Sequence, residues 1–428
     1  MAHTYIWFFV ALLLLASCAT TRNGGDGSDD LEKLQRQLQF RPDDPAALRD
    51  VGVIYFQRKQ YPLAKERLAR SFAQVADDPR TMFYYGMTLE FLNDTTAALA
   101  AYINYTELSP LSQFKKLIEG RFRTLTQAVV KSQVRAALAA EAALGADSLS
   151  RSAVAVFPLK YQGSDPKYQV LGKGLAEMIL VDLAQVKSLN VVERIRIEAL
   201  MNELKFAQSE NVDKASAPRV GKLLSAGKVV TGTFNVFGWN LRMDVAAWDV
   251  VAKKFPELKT ESDELDKLFR IEKQIVFKIL TDLGITPTPQ EQQAIMSTPT
   301  RNVLAFMTYC LGLRSEDAFD FKAARVYYNQ AAGVDPNFNL AKTKATTAEG
   351  MVLAGGPKEN ALSAAEAIDP ALKSSKKKGR LNLLTQRLSN LESSLGSSFR
   401  PGQDDRKPAE EVLESGVLPE PPPPPQGR

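Results

Sequence analysis

Residues 45–71 read PAALRDVGVIYFQRKQYPLAKERLARS, and residues 79–105 read PRTMFYYGMTLEFLNDTTAALAAYINY. Take Pro45 as position 1 of a 34-residue unit. Leu48, Val51, Gly52, Tyr55, Ala64, Leu68 and Ser71 then superimpose on Met82, Tyr85, Gly86, Leu89, Ala98, Tyr102 and Tyr105. The pattern has a physical cause. Small residues at positions 8 and 20 let the two helices of a hairpin approach each other, and large ones at 4, 11 and 24 fill the space between them. Pro110 closes the second unit at position 32. A third unit would open near Gln113, with Gly120 at position 8, but Arg123 and Ser132 do not fit. Residues 112–144 therefore read as a long Ala-rich helix that caps the stack. The frame returns with Ala305 as position 1, where Leu311, Gly312, Ala324, Tyr328, Ala331 and Pro336 take positions 7, 8, 20, 24, 27 and 32. Thr308 and Ser315, at positions 4 and 11, are smaller than the pattern prefers. Cys310, in the first helix of this unit, reads as a small buried hydrophobe rather than a reactive thiol.

These spacings resemble the tetratricopeptide repeat. The resemblance implies hairpins over 31–148 and 301–370, and a concave face able to take a peptide or protein. Two repeats make a shallow groove, which serves equally well as a packing element for a neighbouring domain.

Between the two helical stretches the texture changes. Ala153-Val154-Ala155-Val156-Phe157-Pro158 is a short apolar run stopped by proline, which predicts a strand. Leu171, Leu175, Ile179 and Leu183 predict a helix face from about Lys167 to Val186. Leu189–Val192 predicts a second strand. Ile197, Leu200 and Leu204 mark a helix, and Val220, Leu223 and Leu224 another. Val229–Phe234 and Leu241–Trp248 predict two strands around a turn at Asn235–Asn240, and Leu265–Leu280 a closing helix. The order β-α-β-α-α-β-β-α predicts a mixed α/β or α+β layer domain over 151–284. Together with the hairpins, the fold class is α+β multidomain.

The blocks AVAVFPL, LGKGLAEMILVDLAQVKSLNVVER, LMNELKFAQSENVD, RVGKLLSAGKVVTGTF and MDVAAWDV resemble the CsgG family of curli secretion. They also resemble its relatives, the flagellar FlgO lipoproteins, the N-terminal domain of TolB and the LpoB-type activators of cell-wall synthases. Pore-forming members add two amphipathic hairpins, and a membrane-spanning strand needs about 9–11 alternating residues. The segments after Gln162 and Trp248 are short and charged, and 251–270 is rich in Lys, Glu and Asp. The expected domain is thus the periplasmic part of that family without the channel. Arg194 and Asp182 fall in the matching blocks and read as charges that hold structure.

Residues 5–17 form an apolar run, too short to span a bilayer comfortably but of signal-peptide length. Leu15-Ala16-Ser17-Cys18 resembles a lipobox, which implies a signal peptide over 1–17 and a lipid on Cys18. The stretch before the apolar run lacks Lys and Arg and offers only His3. Ala19, not Asp, follows the cysteine, which by resemblance implies the outer membrane and its periplasmic face. Residues 18–30 are rich in Gly, Asp, Asn and Thr and read as a flexible tether.

Composition bounds the chemistry. His3 is the sole histidine, and Cys18 and Cys310 are the cysteines. Once residues 1–17 are removed, Ser-His and Cys-His catalysis, HExxH sites, Cys-rich metal sites and an internal disulfide are excluded. Carboxylate catalysis and magnesium sites survive that filter but show no distinctive spacing. No P-loop, dinucleotide fingerprint or GxSxG occurs, and Lys173 between Gly172 and Gly174 is a helix start without the phosphate-loop context. The expectation is a non-enzyme without metal or cofactor. Net charge is +5 from 54 basic and 49 acidic residues, too small and spread to indicate nucleic acid. The cluster at Lys376, Lys377, Lys378 and Arg380 reads as a solvated face.

Near the C-terminus, Leu381, Leu384, Leu388, Leu391 and Leu395 form a short heptad seam over 380–397, which could join protomers into a homo-oligomer or lie on its own domain. Residues 398–428, with Pro421–Pro425 unbroken, read as a disordered Pro-rich tail. The functional expectation is an assembly or scaffold lipoprotein with protein partners in the cell envelope and a lipid anchor in the membrane. A curli-type export component and an activator of a cell-wall synthase are the alternatives.

Overall fold

Aspartates placed before helical runs set many of the chain's starts, since a short carboxylate satisfies the first free N–H groups. The computed structural model describes residues 28–144, 149–204, 216–252 and 257–369. The N-terminal helices are α1 (Ser28–Phe40), α2 (Pro45–Gln57), α3 (Tyr61–Gln74), α4 (Pro79–Phe91), α5 (Thr95–Tyr102) and α6 (Gln113–Ala139). Then come β1 (Ser150–Val156), β2 (Lys160–Tyr161), α7 (Leu171–Leu183), β3 (Asn190–Val191), α8 (Arg194–Glu203), α9 (Ala217–Leu224), β4 (Ala226–Phe237), β5 (Asn240–Asp249), β6 (Lys259–Glu264) and α10 (Leu268–Asp282). The chain returns to helices α11 (Pro289–Met296), α12 (Val303–Asp317), α13 (Phe321–Val334), α14 (Asn339–Ala354) and α15 (Lys358–Ile368). Asp44, Asp78, Asp94 and Asp320 cap α2, α4, α5 and α13 through the N–H three residues on. Thr288 and Glu291 form a capping box on α11.

Three hairpins, α2–α3, α4–α5 and α12–α13, share one register. Their turns place Lys59, Asn93 and Phe319 in the left-handed region, with φ of 58°, 59° and 59°. All three residues stand at position 15 of the 34-residue frame. Gly52, Gly86 and Gly312 back onto Leu68, Tyr102 and Tyr328, the residues at position 24. A Cβ there would lie 2.5, 2.0 and 2.5 Å from the nearest atom of that side chain. Ala64, Ala98 and Ala324 are fully buried. Tyr55 is half-buried, its hydroxyl accepting from Gln35, and Pro110 and Pro336 are exposed in turns.

The sheet runs β3-β1-β4-β5-β6, with β2 beside β4. β1 lies parallel to β3 and β4, while β4–β5 and β5–β6 are antiparallel. Side-chain alternation separates its two faces. Ala153, Ala155 and Phe157 face α8, α9 and the Val130–Val134 part of α6. Val154 and Val156, with Val230, Phe234, Leu241, Met243 and Val245, face α7 and α10, in a core that runs on into α12, α13 and α14. The layout is α+β multidomain: a helical frame and a mixed-sheet domain that share apolar cores.

Several expectations change. α6 packs on the α4–α5 hairpin, but the helices do not end there. α6 also packs along α14, with Gly120 against Gly350, where a Cβ on Gly120 would stand 2.3 Å from the Gly350 carbonyl oxygen. Lys116–Glu349 (2.9 Å) and Glu119–Thr347 (2.8 Å) flank that contact. The two helical stretches are therefore one frame, with the sheet domain inserted between α6 and α11. No local pattern announces this, because the partners lie some 230 residues apart in sequence. β4 and β5 extend through the expected turn, leaving Gly238 and Trp239 as its two residues. β6 occupies the charged stretch that predicted no strand. Its polar alternation carries no apolar period, and pairing with β5 imposes the extended backbone. The helix expected from Lys167 begins at Leu171 after a 3-10 turn at Pro166–Tyr168, and α10 begins at Leu268 rather than Leu265. Ser28–Asp30, expected in the tether, open α1. Cys18, the signal peptide, the rest of the tether, the heptad seam over 380–397 and the tail over 398–428 lie outside the described residues.

Candidate functional site: an ionic junction

The junction between the sheet domain and the C-terminal hairpins is built by close approach. Gly174 on α7 lies against Cys310 on α12, where a Cβ would sit 2.2 Å from Sγ. Gly172 lets α7 reach the Leu159 carbonyl at the sheet end. The residue between them, Lys173, is thereby carried into a ring of charges. Arg194, the first residue of α8, pairs with Glu177 of α7 (2.9 Å), Glu316 of α12 (2.7 Å) and Asp317. Lys173 pairs with Glu198 (3.3 Å) and Asp317, and Lys344 of α14 with Glu316 (3.2 Å) and Glu177 (3.5 Å). Tyr309 donates to Glu177 at 3.1 Å and Tyr328 to Glu316 at 2.6 Å. Four carboxylates thus face three cations and two phenols.

The electrostatics follow from this packing. Burial opposes the charge on Arg194, but Glu177, Asp317 and Glu316 outweigh it and hold the guanidinium well above its ordinary range. Burial would also raise Glu316, yet Lys344 and Arg194 hold it at about 2. Glu198 goes up, through burial and then Asp317. Burial, and next Glu177, push the Cys310 thiol well up, so it is a packed hydrophobe without thiolate character.

A second buried cluster lies at the foot of α7. Asp182 pairs with Lys273 of α10, and Glu272 is fully buried 3.3 Å from the same ammonium. Burial, then Asp182, raise Glu272 well above the ordinary carboxylate value. Arg194 and Asp182 were legible as structural charges. Glu177, Glu316, Asp317, Lys344 and Lys273 were not: no spacing marks which charges will meet, and Arg194 and Asp182 stood out only through the family resemblance of their blocks. What the junction can do chemically is fix the angle of the hairpins on the sheet domain. Among the described residues no group of His, Cys, Asp and Glu is placed to hold a metal ion.

Elsewhere on the sheet domain, the β4–β5 turn presents Phe237 and Trp239, 83% and 80% exposed, either side of Gly238 at φ +60°. No helix among the described residues is long and apolar enough to cross a membrane.

Residues 139–251 match the family model described as curli production assembly/transport component CsgG. The match begins at the last residue of α6 and ends just beyond β5, so it takes in the junction residues Lys173, Glu177, Arg194 and Glu198 but not β6, α10 or the C-terminal hairpins. No curated protein matches the chain.

Proposed function

We propose that the protein is a scaffold of the bacterial cell envelope, held at the periplasmic face of the outer membrane by a lipid on Cys18 and working through protein contacts without catalysis. The observation that carries this reading is a CsgG-matching sheet domain inserted into a frame of helical hairpins. The shared register of the three hairpins supports reading them as tetratricopeptide-like, a class of repeat that works by contact. The ion pairs of the junction support a rigid body that presents surfaces rather than a site that turns over. A curli-type export component is the second reading, favoured by the description of the matched family.

Two measurements test the proposal, and the second separates the readings. Mass spectrometry of the membrane-purified protein is expected to find acyl chains on residue 18, and Cys18→Ser to release the protein from the membrane pellet; an unmodified residue 18 counts against the anchor. Affinity purification from envelopes followed by particle imaging is expected to give a defined complex with a protein partner. A ring with a lumen would favour the export component instead.

A further inference from the structure

The face of α4 that carries Arg80, Tyr84 and Phe91 is covered by the chain's own last described helix. The Asp369 carboxylate, just past the end of α15, is buried against Arg80 Nε at 2.9 Å and accepts from the Tyr84 hydroxyl at 3.0 Å. At the other end of α15, Lys358 donates to the Glu90 carbonyl at 3.0 Å, with its ammonium 4.7 Å over the Phe91 ring. Arg121, paired with Glu90, reaches the Gly356 carbonyl at 2.6 Å. Burial, and then Asp369, push the Tyr84 phenol well up.

What fastens α15 is unusual in kind. The residues buried on this helix are Ala361 and Ala365, so it contributes little apolar area. Besides packing against α14 and α6, it is held by polar contacts at its two ends. It hangs from Gly355-Gly356-Pro357, with Gly356 at φ +74°. Tyr84 and Phe91, which its end residues touch, belong to an aromatic cluster in which Tyr84 meets Phe56, Phe83 and Phe114 and Phe91 stacks on Tyr61 at 4.7 Å. A surface of aromatics with an arginine that takes a carboxylate fits a particular ligand: a short helix with small residues inward and an acidic side chain past its end.

We propose that this face of α4 is a docking site for such a segment of a partner protein, filled at rest by residues 355–369, which a partner displaces. The proposal goes beyond the scaffold reading and stands independently of the lipid anchor and of the CsgG match.

The test uses the full chain and a fluorescein-labelled peptide of residues 355–369, amidated so that no terminal carboxylate competes. The variant Ala361→Glu/Ala365→Glu should lift α15 from its seat. Fluorescence anisotropy is expected to show it binding the peptide about tenfold or more tighter than the wild type, whose site is already filled. Adding Arg80→Ala, or using the Asp369→Asn peptide, should abolish that gain. Equal binding with and without Arg80→Ala overturns the proposal. So does concentration-dependent dimerisation of the opened variant without peptide binding, which would mean exchange between copies. Hydrogen exchange on the wild type serves if the variant fails to fold. Amides of 358–368 should exchange faster than those of α12 and α13, and equal protection would make α15 a permanent wall.

Discussion

Arg194 meets three carboxylates from two helices, so its loss would leave Glu177, Glu316 and Asp317 without their shared cation. Arg194→Ala should lower the unfolding free energy by about 3 kcal/mol, read from urea midpoints. Arg194→Lys should recover only part, since a point charge cannot bridge three partners as a guanidinium fork does. Glu316 gives the junction a pH signature. Its carboxyl sits at about 2 against an ordinary 4.5, so the folded protein binds that proton less tightly than the unfolded chain. The stabilisation is fully present above about pH 4.5 and is lost as pH falls through about 2. Glu198, raised by burial and Asp317, has the opposite sign, and its contribution fades as pH rises. The measurement is therefore a difference: the stability gap between wild type and Glu316→Gln should shrink as pH falls from 6 toward 2.5. Glycines offer a paired test. Gly86→Ala would put a Cβ 2.0 Å from the buried Tyr102 ring and should cost about 2 kcal/mol or more. Gly333→Ala, in α13 with nothing within 4 Å, should raise the melting temperature through helix propensity worth up to about 1 kcal/mol.

At the scale of the element, helix starts carry much of the local specification. Asp320→Ala removes a single cap and should cost about 1 kcal/mol. Asp78→Ala should cost more, because Asp78 also pairs with Arg49 and accepts from the Thr81 hydroxyl. Comparing the two urea midpoints checks the order. The sheet obeys a different rule. The second half of β1, from Ala153, is covered on both faces and reads as an apolar run, whereas β6 is a charged edge strand whose polar side chains discourage pairing with another chain.

Across the whole molecule, the Gly120–Gly350 contact decides how many units unfold. With backbone against backbone there, the N-terminal and C-terminal helices should melt as one frame, and calorimetry of the wild type should show one main transition. Gly350→Val would drive a side chain into the Lys116 carbonyl, 2.8 Å from where a Cβ would sit. It should lower the melting temperature and split the transition, with protease cuts appearing first between α6 and β1. A single unsplit transition in that variant would show that the sheet domain alone couples the two ends.

Much was legible locally. The 34-residue register, carried by Gly52, Gly86, Gly312 and their partners at position 24, follows from spacing, since a hairpin can close only where small residues oppose large ones. The strands of the sheet core were visible because β1 and β4 bury both faces over short apolar stretches, Ala153–Val156 and Val229–Val230 among them. Beyond that, tertiary structure decided. The joining of α6 to α14, the ring around Arg194, the seat of Asp369 on Arg80 and the strand at β6 each depend on groups far apart in the chain. A carboxylate carries no local mark of the distant cation it will meet, and a polar edge strand carries no period of its own. Apolar spacing fixes the elements that build the core; a polar edge strand, and which polar groups end up facing each other, are known only once those elements have packed.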